Sequence, residues 1–380
     1  APFTVPSWPI HQILLPTGKI LWFMPDDDHS KGGRAYIWDP VTHASHRVDA
    51  PPVRYDDGVT RAANLFCAGH SALADGRILV AGGTRAFPNS PGAPAADFKG
   101  GQWVFRFALG QGPGPRQPDM PRGRWYPTVT TLPDGTALIM GGTDETGDNI
   151  DNTDVELFTP TPAIGGVGTL RVVSHRATAL YPHVMVIPDG TAAGAAPGTQ
   201  VLLAGPGTDD TAILNTADGS WRYLPNLPTA RFWGAAILMP SPAGPPSKVM
   251  LIGGANLGTT PPTQATTVTL DLNALASGWK AGPSMAARRG HLNVTVLPDD
   301  SLVAGIGTVN GSSSLYVDPV FTSERLLPGA TAWTPAGSEV DERTYHSTAV
   351  LLPDGRVLSA GDDRSSHFPA ALRRGEVWTT

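Results

Sequence analysis

Seven segments of this 380-residue chain share one pattern, in which an apolar strand leads through a tight turn into a second apolar strand. An Asp-Gly pair between two apolar runs is a strong signal for a β-hairpin. In chain order, the seven turns are centred on Gly18, Gly76, Gly135, Gly190, Gly244, Asp300 and Gly355, at intervals of 54 to 59 residues. This regular spacing predicts an internal repeat with one hairpin in each unit.

The repeat has the length of a propeller blade. Most of the second strands end in Gly-Gly or Ala-Gly, and a weaker strand that often ends in tryptophan follows. A period of about 50 residues with a glycine doublet is typical of kelch-type blades, each with four antiparallel strands. We therefore predict an all-β, seven-bladed kelch-type β-propeller that spans residues 1–380 as a single domain. The seventh blade is short of strands, and we expect the N-terminal segment Phe3–Trp8 to supply its outer strand.

Composition excludes several classes of protein. The 44 glycines and 38 prolines argue against a helical fold. A net charge of −6 without any basic block argues against nucleic-acid or anionic membrane partners. No run of about 18 apolar residues is present, so no membrane span is predicted. Cys67 is the single cysteine, which excludes an internal disulfide.

Chemically active side chains occupy equivalent positions at the start of the first strand in each hairpin. We name these the entrance positions; each lies eight residues before the turn aspartate, or seven before the hairpin proline. They hold Pro9, Cys67, Tyr126, Tyr181, Trp233, His291 and His346. Equivalent positions in a propeller face a common axis, so we expect these groups to converge on a site.

Tyr345 precedes the last of these residues, His346, and adds a third phenol. Neighbours on a regular strand point to opposite faces. For Tyr345 and His346 to reach one centre, the backbone must be irregular at the strand entrance. Phenolate and imidazole donors around one point suit Cu(II) among the first-row ions.

Three motifs together resemble those of the copper radical oxidases, the family of galactose oxidase and glyoxal oxidase. They are Asn64-Leu-Phe-Cys67-Ala-Gly-His70, Gly123-Arg-Trp-Tyr126-Pro-Thr and Arg343-Thr-Tyr345-His346-Ser. The Arg-Trp-Tyr-Pro sequence is more similar to the glyoxal oxidase branch.

The resemblance implies a copper-dependent oxidoreductase with one copper ion per site. Cys67 and Tyr126 would form a thioether-linked radical cofactor, with Tyr126, Tyr345 and His346 as copper ligands. Tyr345 would also accept the substrate proton. Small aldehydes or primary alcohols would be oxidised by O2, with release of H2O2.

Other entrance residues receive supporting roles. The resemblance implies an aromatic ring stacked over the thioether, which in galactose oxidase comes from the loop after the hairpin of the first tyrosine. Here that loop, Thr143–Ile150, carries no aromatic residue, so we expect Trp233 to be this ring instead. His291 and Tyr181 are expected to lie just outside the ligand set.

The family also uses a third imidazole, from a C-terminal β-sandwich domain. We expect that domain to lie outside this chain, as a partner, or another histidine to replace it, with His70, His183 and His291 as the substitutes. The resemblance and the N-terminus, which begins as a mature product does, favour a secreted protein. The alternative is a non-catalytic kelch propeller that binds a protein or glycan through its loops.

Overall fold

The computed structural model describes residues 2–26, 32–88, 97–108, 112–163, 165–194, 198–241, 244–310, 317–362 and 374–378. The chain forms two compact units. The cysteine unit, named for Cys67, comprises Ile13–Val184 and Asp218–Ser220. The histidine unit, named for His291 and His346, comprises Ala1–Gln12, Met185–Ala217 and Trp221–Thr380. The predicted single domain over 1–380 stays a prediction.

The described residues contain seven four-stranded sheets, one for each predicted hairpin. We number them in the order of those hairpins, and the strands from β1 (Pro2–Thr4) onward in chain order. The helical structure within these residues is a single turn of 3-10 helix, Leu275–Ser277. None of the described helical structure is long and apolar enough to cross a membrane.

The cysteine unit holds the first three sheets, apart from the first two residues of β2. The first sheet contains β2 (His11–Leu14), β3 (Ile20–Pro25), β4 (Gly33–Trp38) and β5 (Ser45–Arg47). The second contains β8 (Ala68–Ala72), β9 (Ile78–Gly82), β12 (Val104–Ala108) and β13 (Gly112–Pro113). The third contains β14 (Thr128–Thr131), β15 (Ala137–Met140), β16 (Asp154–Thr159) and β17 (Thr169–His175). Two small ribbons pair β6 (Pro52–Arg54) with β7 (Thr60–Ala62) and β10 (Thr84–Ala86) with β11 (Lys99–Gly100).

The histidine unit holds the other four sheets, apart from the first residue of β18. The fourth contains β18 (Val184–Val186), β19 (Gln200–Ala204), β20 (Thr211–Asn215) and β21 (Trp221–Tyr223). The fifth contains β22 (Ala235–Leu238), β23 (Lys248–Ile252), β24 (Thr267–Asp271) and β25 (Lys280–Ala281). The sixth contains β26 (Asn293–Val296), β27 (Leu302–Gly305), β28 (Thr322–Leu326) and β29 (Thr334–Ser338).

The seventh sheet is completed by the N-terminus, as predicted. It contains β30 (Ser347–Leu351), β31 (Val357–Gly361), β32 (Arg374–Trp378) and β1. β1 pairs antiparallel with β32, with Phe3 opposite Gly375. The prediction of an N-terminal outer strand is therefore confirmed.

The second strand of every sheet forms the core. Each of these strands is buried along its whole length, except for Lys248 at the start of β23. A strand that is buried on both faces has a continuous apolar sequence, and such a run comes after each turn of this chain. The seven turn residues all have positive φ, between +65° and +94°, as tight hairpin turns require. The hairpins identified in the sequence are therefore confirmed.

Candidate functional site

The entrance positions share an unusual backbone conformation. All six that are not proline have positive φ: Cys67 (+65°), Tyr126 (+67°), Tyr181 (+47°), Trp233 (+59°), His291 (+57°) and His346 (+54°). Left-handed backbone is uncommon for residues other than glycine and is costly for bulky ones. The irregular backbone expected at the strand entrances is present at each of these positions.

In the cysteine unit, backbone hydrogen bonds join the entrances of successive sheets. The Tyr126 N–H donates to the Cys67 carbonyl (2.9 Å), and the Tyr181 N–H donates to the Tyr126 carbonyl (2.9 Å). Cys67 is 1% exposed and Tyr126 is 8% exposed. Cys67 and Tyr126 are thus neighbours at the level of the main chain, and both are shielded from water.

The ring of Tyr126 lies in a stack of aromatic side chains. It stacks against Trp125, with centroids 3.9 Å apart and an interplanar angle of 13°, and against Tyr181 at 4.4 Å and 21°. Phe98 stacks on Trp125 at 4.4 Å and 9°. The Tyr181 hydroxyl donates to the Ala68 carbonyl at 3.3 Å, which ties this ring to the strand that follows Cys67. Within its own unit, Tyr126 therefore has an aromatic ring on each side.

In the histidine unit, one phenol and two imidazoles converge. Tyr345 and His346 stack with centroids 3.7 Å apart, and the ring of His291 meets Tyr345 edge-on at 4.9 Å. Trp233 stacks on His291 at 4.6 Å, and the His291 N–H donates to the Trp233 carbonyl at 2.7 Å. Adjacent residues Tyr345 and His346 thus present their rings on the same side, which a regular strand does not allow.

His291 is held as a neutral imidazole. Burial disfavours its charged form, and the nearby His346 adds repulsion, so the pKa of His291 falls to about 3. Its Nε2 atom is buried and has no hydrogen-bond partner in the described structure. A neutral imidazole nitrogen is a common metal donor.

The donor atoms fit copper. Among the described residues, no three His, Cys, Asp or Glu side chains gather into a group able to hold a metal. A metal at Tyr345 and His346 would therefore need phenol oxygens as well as imidazole nitrogens. Nitrogen and oxygen donors of this kind suit Cu(II), and the orphaned Nε2 atom of His291 next to Tyr345 is consistent with such a site.

Residues 116–373 match the protein family described as Glyoxal oxidase N-terminus. This range is more than half of the chain. The chain belongs to this family. The matched range includes Tyr126, Tyr345 and His346, whereas Cys67 precedes it.

Relatives of this glyoxal oxidase family member include two oxidases. An aldehyde oxidase of Arabidopsis thaliana is 25% identical over 283 residues, covering 66% of this chain and 43% of that protein. A galactose oxidase of Gibberella zeae is 25% identical over 369 residues, covering 88% of this chain and 47% of that protein. The chain spans less than half the length of these two curated relatives.

A solved structure of another protein has a fold similar to that of this chain. It is described as a novel fungal alcohol oxidase with catalytic diversity among the AA5 family, in complex with copper. It is 19% identical, with a TM-score of 0.73 over 100% of this chain and 75% of that chain. The predicted fold class, an all-β seven-bladed propeller, is confirmed by this likeness.

Sequence reasoning missed Trp125 and Phe98. Trp125 lies in the Arg-Trp-Tyr-Pro motif, yet a regular strand would turn it away from Tyr126. The left-handed backbone at Tyr126 brings the two rings face to face, so the signal was the Trp-Tyr pair at an entrance position.

Two further predictions concern the rings around the histidines. The role of Trp233 above the thioether stays a prediction; in its own unit it stacks on His291. Of the three substitute histidines, His291 lies beside Tyr345 and His346. His70 packs edge-on against Phe23 in the cysteine unit, where burial lowers its pKa to about 4.

Proposed function

We propose that this protein is a mononuclear copper radical oxidase that oxidises small aldehydes or primary alcohols with O2 and releases H2O2. The observation that supports this most strongly is the main-chain hydrogen bond from Tyr126 to Cys67. Both residues have left-handed backbone and both are buried. A structural turn needs neither a thiol nor a phenol there, and glycine would adopt this backbone at lower cost. Membership of the glyoxal oxidase family and the oxidases among its relatives support the same proposal.

The cofactor is a thioether between the Cys67 sulfur and a ring carbon of Tyr126. The bond forms as the thiol and the ring carbon each lose one hydrogen. The two electrons and two protons that are released pass to O2, which becomes H2O2. The rings of Trp125 and Tyr181 on the two faces of Tyr126 shield the oxidised phenol from water and from reductants.

The copper ligands in this proposal are Tyr126, Tyr345 and His346, as in the family. When bound, copper would supply a site for one electron of each substrate oxidation. Tyr126, linked to Cys67, would take the other electron together with the proton of the substrate C–H bond, as a hydrogen atom, because sulfur substitution makes its phenol easier to oxidise. Tyr345 holds the proton taken from the substrate hydroxyl. O2 would take up both electrons together with the hydroxyl proton from Tyr345 and the C–H proton from Tyr126, and would become H2O2.

Three further features complete the proposal. His291 stays neutral beside Tyr345 and keeps a positive charge away from the proton that Tyr345 accepts. The remaining imidazole of the family comes from a C-terminal β-sandwich domain or from His291. The protein acts outside the cell, where peroxide is released at a distance from the cytoplasm.

The first test is the intact mass of the protein after copper loading in air. We expect the loss of two hydrogens, located by peptide mapping to a Cys67–Tyr126 pair, and no such loss in a Cys67→Ser variant. Cys67 that stays unmodified and can be alkylated after this treatment would contradict the proposal. That result would favour the alternative, a non-catalytic propeller. Peroxide release with glyoxal-type aldehydes and with galactose then compares the two branches of the family.

A further inference from the structure

Three entrance residues are each preceded, two positions earlier, by a buried arginine. Arg124 precedes Tyr126, Arg231 precedes Trp233 and Arg289 precedes His291. In each case the guanidinium donates to carbonyl groups around the end of the second strand and the start of the third in the same sheet. The three arginines therefore make the same type of clamp beneath different entrance residues.

Arg124 makes the most complete clamp. Its Nη1 donates to the Gly141 carbonyl (2.7 Å) and its Nη2 to the Asp154 carbonyl (2.6 Å). Its Nε and Nη2 also donate to the same oxygen of Glu156, at 3.0 and 2.8 Å. The side chains of Arg124 and Glu156 are 0% and 1% exposed. A fully buried, charge-assisted pair of this kind fixes geometry strongly, because neither charge can exchange its partner for water.

Main-chain hydrogen bonds connect the segment that contains Arg124 and Tyr126 to Cys67 and the second sheet. The Arg124 carbonyl accepts a hydrogen bond from the N–H of Gly83 (3.0 Å), which directly follows β9 of the second sheet. Two residues later, the Tyr126 N–H donates to the Cys67 carbonyl. Two hydrogen bonds, one at Arg124 and one at Tyr126, therefore join this segment to the residues that flank the strands of the second sheet.

We propose that Arg124 and Glu156 are positioning residues for the Cys67–Tyr126 cross-link. They hold Tyr126 in the left-handed conformation in which its main chain is bonded to Cys67, before any covalent bond exists. This inference rests on the proposed function for its chemistry, but its structural part concerns the uncross-linked protein.

The fifth sheet indicates that the carboxylate is not needed to fold an entrance segment. Arg231 donates to the carbonyl and the hydroxyl oxygen of Thr266, and none of its described hydrogen bonds goes to a carboxylate like that of Glu156. Trp233 nevertheless has the same left-handed backbone. We therefore expect Glu156→Gln to fold and to loosen the clamp without removing it.

The sixth sheet offers a matched control. Arg289 and Glu324 form a pair with the same 2.8 Å separation and with side chains 0% and 3% exposed. Arg124→Lys and Arg289→Lys each keep the positive charge and lose the forked hydrogen bonds. They disturb equivalent clamps, but only Arg124 precedes Tyr126. Glu156→Gln and Glu324→Gln form a second pair of variants, in which Glu324 differs by also accepting the N–H groups of Ala286 and Ala287.

The first measurement is amide hydrogen exchange at residue resolution in the metal-free protein. We expect exchange of the Tyr126 N–H to be about tenfold faster in Arg124→Lys and Glu156→Gln, because the clamp that restrains local opening is weakened. Exchange at Tyr126 should stay at the wild-type rate in Arg289→Lys and Glu324→Gln. Equal rates at Tyr126 in the two matched sets would overturn the inference.

The second measurement is the rate of cross-link formation after copper loading in air, followed by intact mass. We expect it to be about tenfold slower in Arg124→Lys and Glu156→Gln than in their controls when the variants are compared at equal copper occupancy, since loss of orientation at the reacting atoms lowers rates by at least this factor. Circular dichroism checks that all four variants are folded. Equal rates in folded variants would also overturn the inference. If the wild type itself forms no cross-link, the proposed function fails, and the exchange measurement alone decides whether the clamp positions Tyr126.

Discussion

The six left-handed entrance residues carry a conformational cost that the surrounding structure must offset. A left-handed conformation costs roughly 1–2 kcal/mol for a residue with a side chain. Hydrogen bonds such as those from Tyr126 to Cys67 and from His291 to Trp233 hold these residues in place. The conformation turns each side chain away from the direction that a regular strand would give it. It explains why Tyr345 and His346, although adjacent, stack on each other.

The aromatic stack on Tyr126 gives a prediction at the scale of one residue. Trp125→Leu removes both ring contacts, whereas Trp125→Phe keeps a ring between Phe98 and Tyr126. Because each stacked pair is worth about 1 kcal/mol, we expect the radical proposed at Tyr126 to decay about tenfold faster in the Leu variant. The Phe variant should stay close to the wild type. Electron paramagnetic resonance of the cross-linked protein, oxidised after copper has been removed, measures the decay, because a phenoxyl radical bound to Cu(II) is spin-coupled to the metal.

Trp103→Leu is the control for this prediction, since Trp103 is a buried tryptophan of the same unit whose described ring contact is with Tyr55. It loses packing without a change at Tyr126. A radical that decays equally fast in Trp125→Leu and Trp103→Leu would show that general loss of packing, not the stack, controls its lifetime.

At the scale of the element, the glycine doublet at the end of a second strand has a specific reason. A Cβ atom on Gly82 would lie 2.5 Å from the Arg124 carbonyl oxygen, and its φ is +78°. The doublet thus lets the end of β9 approach the segment that leads to Tyr126. In contrast, Gly355 in the seventh hairpin has φ of +84° and no atom within 4 Å of an added Cβ. A side chain at Gly355 would therefore meet backbone strain alone, whereas a side chain at Gly82 would meet backbone strain and a steric clash.

Alanine substitution at these two glycines should have different costs. Gly355→Ala adds strain alone and should lower the free energy of unfolding by about 1 kcal/mol. Gly82→Ala adds a clash with backbone and should lower it by about 3 kcal/mol or more. Urea denaturation measures both. Equal losses in the two variants would mean that the approach of Gly82 to Arg124 is not close in solution.

The hairpins were predictable from sequence because each is a local feature: the turn residue, the apolar run and the glycine doublet lie within about 20 residues. Their regular repeat made the number of sheets predictable as well. The entrance positions were also predictable, because each lies at a fixed number of residues before its hairpin turn. The partners of Arg124 did not, because Glu156 is 32 residues away and bonds it only after three strands of the third sheet have paired. The ribbons β6–β7 and β10–β11 fall outside the repeat and were also missed.

At the scale of the whole molecule, one buried carboxyl group makes stability depend on pH. Glu339 is 5% exposed and follows β29. The pKa of Glu339 is raised to about 7, mainly by burial and to a smaller extent by Glu376, while Arg343, a hydrogen bond with Ser359 and Arg289 act in the opposite direction. In the unfolded chain its pKa returns to the ordinary value of 4.5. The folded protein therefore binds a proton at Glu339 over a pH range in which the unfolded chain does not.

Between pH 4.5 and about 7 the free energy of unfolding should fall as pH rises, because only the unfolded chain releases the proton. This contribution is fully present below pH 4.5, is lost as pH rises through 7, and amounts to about 3 kcal/mol. Glu339→Gln keeps a neutral side chain of the same shape at every pH, so it should lack the decline. We expect the variant to gain stability relative to the wild type between pH 5 and pH 8, by urea denaturation at both values. Other titrating groups are common to both proteins and cancel in the difference. A difference that is the same at pH 5 and pH 8 would mean that Glu339 is ionised in the folded protein at both, with Arg343 outweighing the effect of burial.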